Sequence, residues 1–411
     1  MAREREGDVD DAARPLLLVY AALAHVVILV VVFWSVYRSN FSDVPIYYRY
    51  ASRALAGAVP YRDFAVEYPP AALIFFGLPR LVATTLTQYY VAFRVEVVIA
   101  DLLILVALNA IARRRGLNRV AVLGAYTVFV LTVGPIIGQD FDIFPAATVV
   151  CALWFAGRSE WFGASIMLAV GILTKLYPLL LVPVFAMQHV RARAYGLLVR
   201  CAIVGTATMV VLASPLLLVA PRNMLGFLDY HAARGVHAES TYGSLLVAAS
   251  KLHLVAAAIE YNFSSWNMSG HAAAVVKPLS TVLMLAAVVV VYAMMYRRTR
   301  RDEPVDLAAW SALVLFAGLV TSKVLSPQYL IWVMPLVPLI AVRNRALLWT
   351  LFALTGVVTY YIFPLRYMAL VRTEAPDAVV GLVLRNLLLV VTTVVLARGL
   401  RLSNRLSSSP S

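Results

Sequence analysis

Apolar residues in this chain come in long runs, not in the alternation of a half-buried strand or the narrow stripe of a surface helix. The run from Pro15 to Tyr37 is long enough to cross a hydrocarbon core of about 30 Å. Further runs lie near 88–112, 119–137, 141–157, 161–175, 176–190, 197–219, 273–296, 306–322, 327–342, 346–363 and 378–397, and each predicts a membrane helix. Two long stretches, 38–87 and 220–272, interrupt the series. Their apolar pieces, 71–86 and 244–260, predict re-entrant or interface-lying helices. Proline falls within several runs, at Pro135, Pro178, Pro183, Pro335 and Pro338; membrane helices tolerate this because neighbours re-satisfy the freed backbone groups. The segment 161–190 reads either as two short helices or as one long one.

The polar punctuation assigns the sides. Basic clusters at 113–115, 191–193, 297–301, 343–345 and 398–405 share one side if the N-terminus is cytosolic and both long stretches stay outside. About twelve crossings with both termini inside then satisfies the excess of Lys and Arg in short cytosolic loops. Composition agrees: of 411 residues, 62% are hydrophobic and 14% charged, with a mean hydropathy of +0.83. Soluble domains run at roughly 45–50% and 25%. The expected fold is all-α and polytopic. The net charge of +14 reports topology, not nucleic acid, because the basic residues sit between apolar runs. The mixed-charge start (Arg3, Glu4, Arg5, Glu6, Asp8) lacks the layout of a cleaved signal peptide, so residues 1–14 read as a cytosolic tail before a permanent helix. Cys151 and Cys201 lie inside apolar runs and offer neither a disulfide framework nor metal spacing.

Ionisable groups in hydrocarbon cost about 2.5–3.5 kcal/mol each, so the places where they gather are informative. Here they gather at outer helix ends and in the two long outer stretches. The first stretch carries Asp43, just beyond the first helix, then Tyr47, Tyr48, Arg49, Tyr61, Asp63, Glu67 and Tyr68. Gly138-Gln139-Asp140-Phe141-Asp142 opens the fourth helix; N-terminal capping explains one of the two carboxylates but not both. Lys175 lies in an apolar stretch, where it either snorkels or serves a site. The second outer stretch holds His231, Arg234, His237, Glu239 and Ser240, and a further outer turn carries Lys323, Gln328 and Tyr329. Four of the six histidines fall between 231 and 271, without an H-E-x-x-H or a compact His/Cys cluster. P-loop, G-x-G-x-x-G and G-x-S-x-G patterns are missing. Arg94, Glu96 and Asp101, at helical spacing in the second helix, are the exceptions to the outer placement.

One exposed carboxylate with several cations suits displacement of a sugar from a lipid phosphate. The acceptor hydroxyl needs a general base, while the leaving phosphate needs only charge stabilisation. A single carboxylate gives inversion, whereas retention would use a carboxylate nucleophile beside an acid/base.

Asp43 to Arg49, Gly57-Ala58-Val59-Pro60-Tyr61 and Tyr68-Pro69-Pro70 resemble the first outer loop of the GT-C glycosyltransferases. The nearest branches are glycosyltransferase family 87, which contains the bacterial phosphatidylinositol-mannoside mannosyltransferase, and the GPI mannosyltransferase I catalytic subunit. Gly138-Gln139, Lys175-Leu176-Tyr177-Pro178, the stretch from Tyr230 to Ser240, and Ser326-Pro327-Gln328-Tyr329-Leu330-Ile331-Trp332 resemble later family motifs in the same order. The resemblance implies a GT-C-like transmembrane catalytic domain over 15–340, with outer loops 38–87 and 220–272. C-terminal membrane helices over 341–402 and a disordered tail over 403–411 complete the expected organisation. Carried over residue by residue, it implies Asp43 as catalytic base and Lys175, His231, Arg234, Lys323 and Gln328 on the donor phosphate. Tyr47, Tyr61, Glu67, Tyr68, Gln139, Asp140, Asp142, His237 and Tyr329 are the candidate acceptor or sugar contacts. The GPI enzyme has an Asp-x-Asp pair where this chain has Asp43-Val44-Pro45, which is closer to the bacterial branch and argues against a bridging metal; no cofactor is expected. The implied donor is a polyprenyl-phosphate sugar, mannose foremost and arabinofuranose in relatives. The implied acceptor is a glycolipid or glycan on the extracytoplasmic face of the plasma membrane. A lipid-glycan transporter or flippase is the competing reading. It calls for charges at mid-helix depth, and Arg94, Glu96 and Asp101 are its best support. A non-catalytic membrane assembly subunit is the third reading.

Overall fold

The computed structural model describes residues 2–35, 42–221 and 223–407. In chain order it runs α1 (Ala2–Ser35), α2 (Val44–Leu55), α3 (Ala72–Val82), α4 (Leu86–Arg114), α5 (Arg119–Ile137), α6 (Ile143–Gly157), α7 (Trp161–Thr174), α8 (Val182–Arg191), α9 (Tyr195–Val219), α10 (Gly226–Ala233), β1 (Val236–His237), α11 (Thr241–Lys251), β2 (Ala258–Asn262), β3 (Ser265–Ser269), α12 (His271–Arg300), α13 (Leu307–Thr321), α14 (Leu330–Val333), α15 (Arg345–Tyr360), α16 (Tyr367–Thr373) and α17 (Pro376–Ser407). Short 3-10 turns at Tyr177–Leu181, Pro327–Tyr329 and Val337–Leu339 link several of these. Of the expected disordered tail, residues up to Ser407 continue α17, and 408–411 lie outside the described residues.

Among the described residues, six helical stretches are long and apolar enough to cross a bilayer: Leu16–Phe33, Leu86–Arg114, Tyr195–Val219, His271–Arg300, Arg345–Thr373 and Pro376–Arg401. Shorter apolar helices cover most of the other stretches read as crossings, so length and composition alone establish six spans and leave the expected twelve unconfirmed. Their burial explains the brevity. In α13 every residue from Ala308 to Leu319 is buried, whereas α9 and α12 expose apolar side chains along most of their length. α13 is a central strut, and α9 and α12 present the surface that lipid would solvate.

The 161–190 ambiguity resolves as a helix that doubles back. Lys175 takes an extended conformation (φ −155°, ψ 139°) at the end of α7, Pro178 enters the following turn, and Pro183 opens α8. The chain then returns, bringing His189 edge-on to Trp161 with ring centroids 4.5 Å apart. α1 is tied to the bundle by a buried polar set: His25 Nδ1 lies 2.7 Å from Asp101 Oδ2, His25 Nε2 lies 2.9 Å from Thr127 Oγ1, and Tyr126 donates to Asp101 at 2.7 Å.

The outer stretches are where the all-α expectation fails. α2 and α3 fill the first, but the second holds a three-stranded antiparallel sheet in the order β1-β3-β2, beside α10 and α11. The β2–β3 register pairs Asn262 with Ser265, leaving the two-residue turn Phe263-Ser264. Both turn residues have positive φ (49° and 53°), the conformation whose twist matches antiparallel strands.

Candidate active site

Asp43 immediately precedes α2, with Pro45 in the helix's first turn, where a missing N–H costs nothing. Its main-chain N–H donates to the Gln139 carbonyl at 3.2 Å, and Ser42 Oγ donates to the same carbonyl at 3.2 Å. These contacts fasten the first outer loop to the turn between α5 and α6. They also bring the Asp43 carboxyl into a hydrogen bond with that of Asp140. Two carboxyls in contact do not both ionise. Burial raises both, and the Asp43 and Asp142 charges push Asp140 higher still. Asp43 is raised by burial and held down by the Asp140 hydrogen bond and by Lys175. Asp140 therefore keeps the shared proton and donates it to an ionised Asp43.

Asp142 occupies the N-cap position of α6, yet its side chain caps nothing. Both carboxylate oxygens instead accept from Lys175 Nζ, at 2.7 and 2.8 Å, and one also accepts from the Trp332 indole N–H. The capping expected for one of the two aspartates is thus replaced by a buried ion pair, and Lys175 does not snorkel. Its ammonium also faces the rings of Phe141, Tyr329 and Trp332, at 4.8, 5.3 and 5.6 Å from their centroids. Trp332 is in turn stacked between Tyr177 and Tyr329, at 4.2 and 4.0 Å.

The second outer stretch forms the facing wall. Arg234 Nε donates to Ser265 Oγ at 3.1 Å, which ties the guanidinium to the sheet. His231 Nε2 lies 3.2 Å from the Glu67 carbonyl, so that nitrogen carries the proton. Burial, then the Arg234 and Lys175 charges, depress His231 to about 4; burial and Arg234 depress His237 to about 3. Both imidazoles are neutral at pH 7, so positive charge at this wall comes from Arg234 and not from histidine. Glu67 is raised by burial.

Between these walls lies a cavity of about 560 Å³. Asp43, Glu67, Tyr68, Asp140, Lys175, His231, Arg234, His237, Gln328 and Tyr329 all line it. The remaining sequence candidates stand behind the wall. Tyr47 is fully buried and stacked on Phe76 at 4.2 Å. Tyr61 donates to the Tyr68 carbonyl at 2.7 Å, and Gln139 acts through the carbonyl that holds Asp43. Asp142 reaches the cavity through Lys175 and Trp332, both of which line it. Lys323 is turned away from it: its ammonium donates to the Ala232 and Arg234 carbonyls, at 2.9 and 2.8 Å, and closes the C-terminal end of α10. Of the three cations expected to converge on one phosphate, Lys175 and Arg234 share the cavity and Lys323 does not.

The C-terminal region, which carries no motif, supplies part of the wall. Phe363 and Tyr367 line the cavity beside Glu239. Arg385 Nη2 donates to the Glu239 carbonyl at 2.7 Å, and Asn386 donates to the carbonyls of Glu239 and Ser240. Burial pushes the Glu239 carboxyl up to about 7, against the pull of Arg385. Arg49, Tyr230, Tyr261 and Trp266 line the same space. Arg94, Glu96 and Asp101 do not; Asp101 is spent on His25 and Tyr126.

The family model for glycosyltransferase family 87 matches residues 66–327. That interval contains Glu67, Asp140, Lys175, His231 and Arg234, and it begins after Asp43 and ends just before Gln328. No curated protein matches the chain.

Proposed function

The chain belongs to glycosyltransferase family 87, and from that membership we propose that it moves a sugar from a polyprenyl-phosphate donor to a hydroxyl of a lipid or glycan acceptor, with inversion. The observation that carries the reading is the contact between the Asp43 and Asp140 carboxyls, set in a cavity with Lys175 and Arg234. The Asp43 oxygen not engaged by Asp140 takes the acceptor's proton as that hydroxyl oxygen bonds to the anomeric carbon. The bond from that carbon to the phosphate oxygen breaks on the opposite face. The departing phosphate gains negative charge, which the Lys175 and Arg234 cations stabilise at no reorganisation cost. His231, neutral at pH 7 with its proton on the Nε2 that faces the Glu67 carbonyl, leaves Nδ1 as an acceptor for a sugar or acceptor hydroxyl. The resemblance to mannosyltransferases favours mannose as the sugar, and the run of polar residues at outer helix ends favours the extracytoplasmic face of the plasma membrane.

The test is incubation of membranes containing the chain with labelled polyprenyl-phosphomannose and, separately, polyprenyl-phosphoarabinose, followed by analysis of the lipid and glycan products. Mannose transfer that falls about 10²–10⁴-fold in Asp43→Asn while the donor still binds supports the assignment. Label in neither product set overturns the donor class. Near-normal turnover in Asp43→Asn with collapse in Asp140→Asn moves the base to Asp140.

A further inference from the structure

A second cavity, of about 630 Å³, lies at the opposite ends of α6 and α7 from Asp140 and Lys175. It is bounded by the last turns of α4 and α6, by Trp161 at the start of α7, by Gln188 in α8 and by the 304–308 entry to α13, and is open on one side. Four arginines line it, Arg113, Arg114, Arg115 and Arg158, against one acidic residue, Asp306. That carboxylate is already engaged: one oxygen pairs with Arg115, and the other accepts from the main-chain N–H groups of Ala308 and Ala309 at 3.0 and 3.3 Å. Arg158 lies over the Trp154 ring at 5.0 Å and pairs with Glu160, which is not a lining residue of the cavity. Among the described residues no carboxylate pairs with Arg113 or Arg114, and both are exposed.

Apart from Gln188, whose amide N–H donates to the Val305 carbonyl at 2.8 Å, the remaining side chains of the wall are apolar, and two of them are tryptophans, the residue type that settles at headgroup depth. A preference for Lys and Arg in short loops accounts for basic residues here. It does not account for a walled space that joins them to an apolar surface. Phosphate esterified to an apolar chain has both complements. We propose that this cavity binds the headgroup of an anionic phospholipid, with its phosphodiester between Arg113, Arg114 and Arg158 and its glycerol and upper acyl carbons against Trp154 and Trp161. Basic pockets between membrane helices are suited to such headgroups. The site is separate from the Asp43 cavity, and its occupant is not consumed.

The test uses the full chain, purified in neutral detergent, with lipid retention read by native mass spectrometry. Phosphatidylglycerol and phosphatidylcholine of matched acyl chains are the probes. The expected result is preferential retention of phosphatidylglycerol, reduced at least tenfold in Arg113→Ala/Arg114→Ala/Arg158→Ala, since each basic residue near an anionic lipid contributes roughly fivefold. Arg297→Ala/Arg300→Ala removes two exposed arginines from the end of α12 and should leave retention unchanged. Equal retention of the two lipids overturns the proposal, as does a triple variant that behaves like the native chain, or a control pair that loses as much. Displacement of phosphatidylglycerol by millimolar inorganic phosphate assigns the site to free phosphate and overturns the lipid. Should the triple variant fail to elute as a folded species, Arg113→Gln/Arg114→Gln, which spares the Arg158–Trp154 contact, is read by the same criteria.

Discussion

Lys175 holds both carboxylate oxygens of Asp142, at 2.7 and 2.8 Å, inside a shell of aromatic rings. The pair converts a lysine at a helix end into a fixed charge on the cavity wall. Removing one partner leaves the other buried and uncompensated, a loss of about 3–5 kcal/mol. Lys175→Ala should therefore lower the thermal midpoint as well as turnover. Lys175→Ala/Asp142→Asn should recover most of the stability and none of the activity. Unfolding in detergent, followed beside product formation, separates the two effects; equal stability of both variants would show that the pair is not what holds this wall.

The Asp43–Asp140 pair predicts a pH signature. Transfer requires Asp43 ionised, and burial raises it above the ordinary carboxylate range, so turnover should fall as pH drops through that raised value. The Asp140 hydrogen bond holds Asp43 down, so Asp140→Ala should move this acidic limb to higher pH. Asp140→Asn keeps an N–H donor and should leave the limb nearly in place. A limb that stays put in both variants would remove Asp140 from any role in setting the base.

Much of this architecture is legible in the chain because hydropathy is local. The apolar runs, and the carboxylates and cations at their outer ends, point to Asp43, Asp140, Lys175, His231 and Arg234 before any coordinates. Partner choice is not local. Nothing near Lys323 says that it closes α10, and nothing near Tyr47 says that its ring packs on Phe76 and not on a ligand. The apolar content of 244–260 masks the sheet, although Ile259, Tyr261 and Trp266 belong to short segments rich in strand-forming side chains. The partners of Glu239 and the C-terminal wall are not legible because they are distant in sequence: the residues that hold Glu239 come from α17. One signal was present. Arg385 sits within the apolar run 378–397, and an arginine at that depth calls for a buried partner.

Glu239 predicts a dependence of stability on pH. Its carboxyl, raised to about 7 from an ordinary 4.5, favours the folded state while it is protonated. That contribution is complete below about 4.5 and is lost as pH rises through about 7, a change on the order of 3 kcal/mol. Glu239→Gln should flatten that part of the decline in thermal midpoint between pH 5 and 7. An unchanged profile would mean that the Arg385 charge holds Glu239 ionised throughout.

The sidedness of the molecule is open to direct labelling. Single cysteines replacing Arg62, near the Asp43 cavity, and Arg114, near the second one, should react oppositely with an impermeant thiol reagent. In intact cells Arg62→Cys should label from outside and Arg114→Cys only after permeabilisation. Outside labelling at 114 would overturn the sidedness expected from the basic clusters and place both cavities differently.

Gly138 offers the finest probe of how the first loop is held. A β-carbon there would lie 2.3 and 2.4 Å from two ring carbons of Phe33, and Phe33 is buried, so the ring has little room to yield. The displaced partner would be either α1 or the turn that carries Gln139 and Asp140, and that turn is what anchors the Asp43 amide. Gly138→Ala should therefore cut turnover strongly, with a smaller effect on thermal stability. Gly134→Ala is the control: its β-carbon would meet Val32 at 3.5 Å, an ordinary contact, and activity should be kept. Phe33→Ala removes the clash, so Phe33→Ala/Gly138→Ala should turn over faster than Gly138→Ala alone, a coupling expected only of residues in contact. Additive losses in the double variant would show that the turn is positioned by something other than the seat of Phe33 on Gly138.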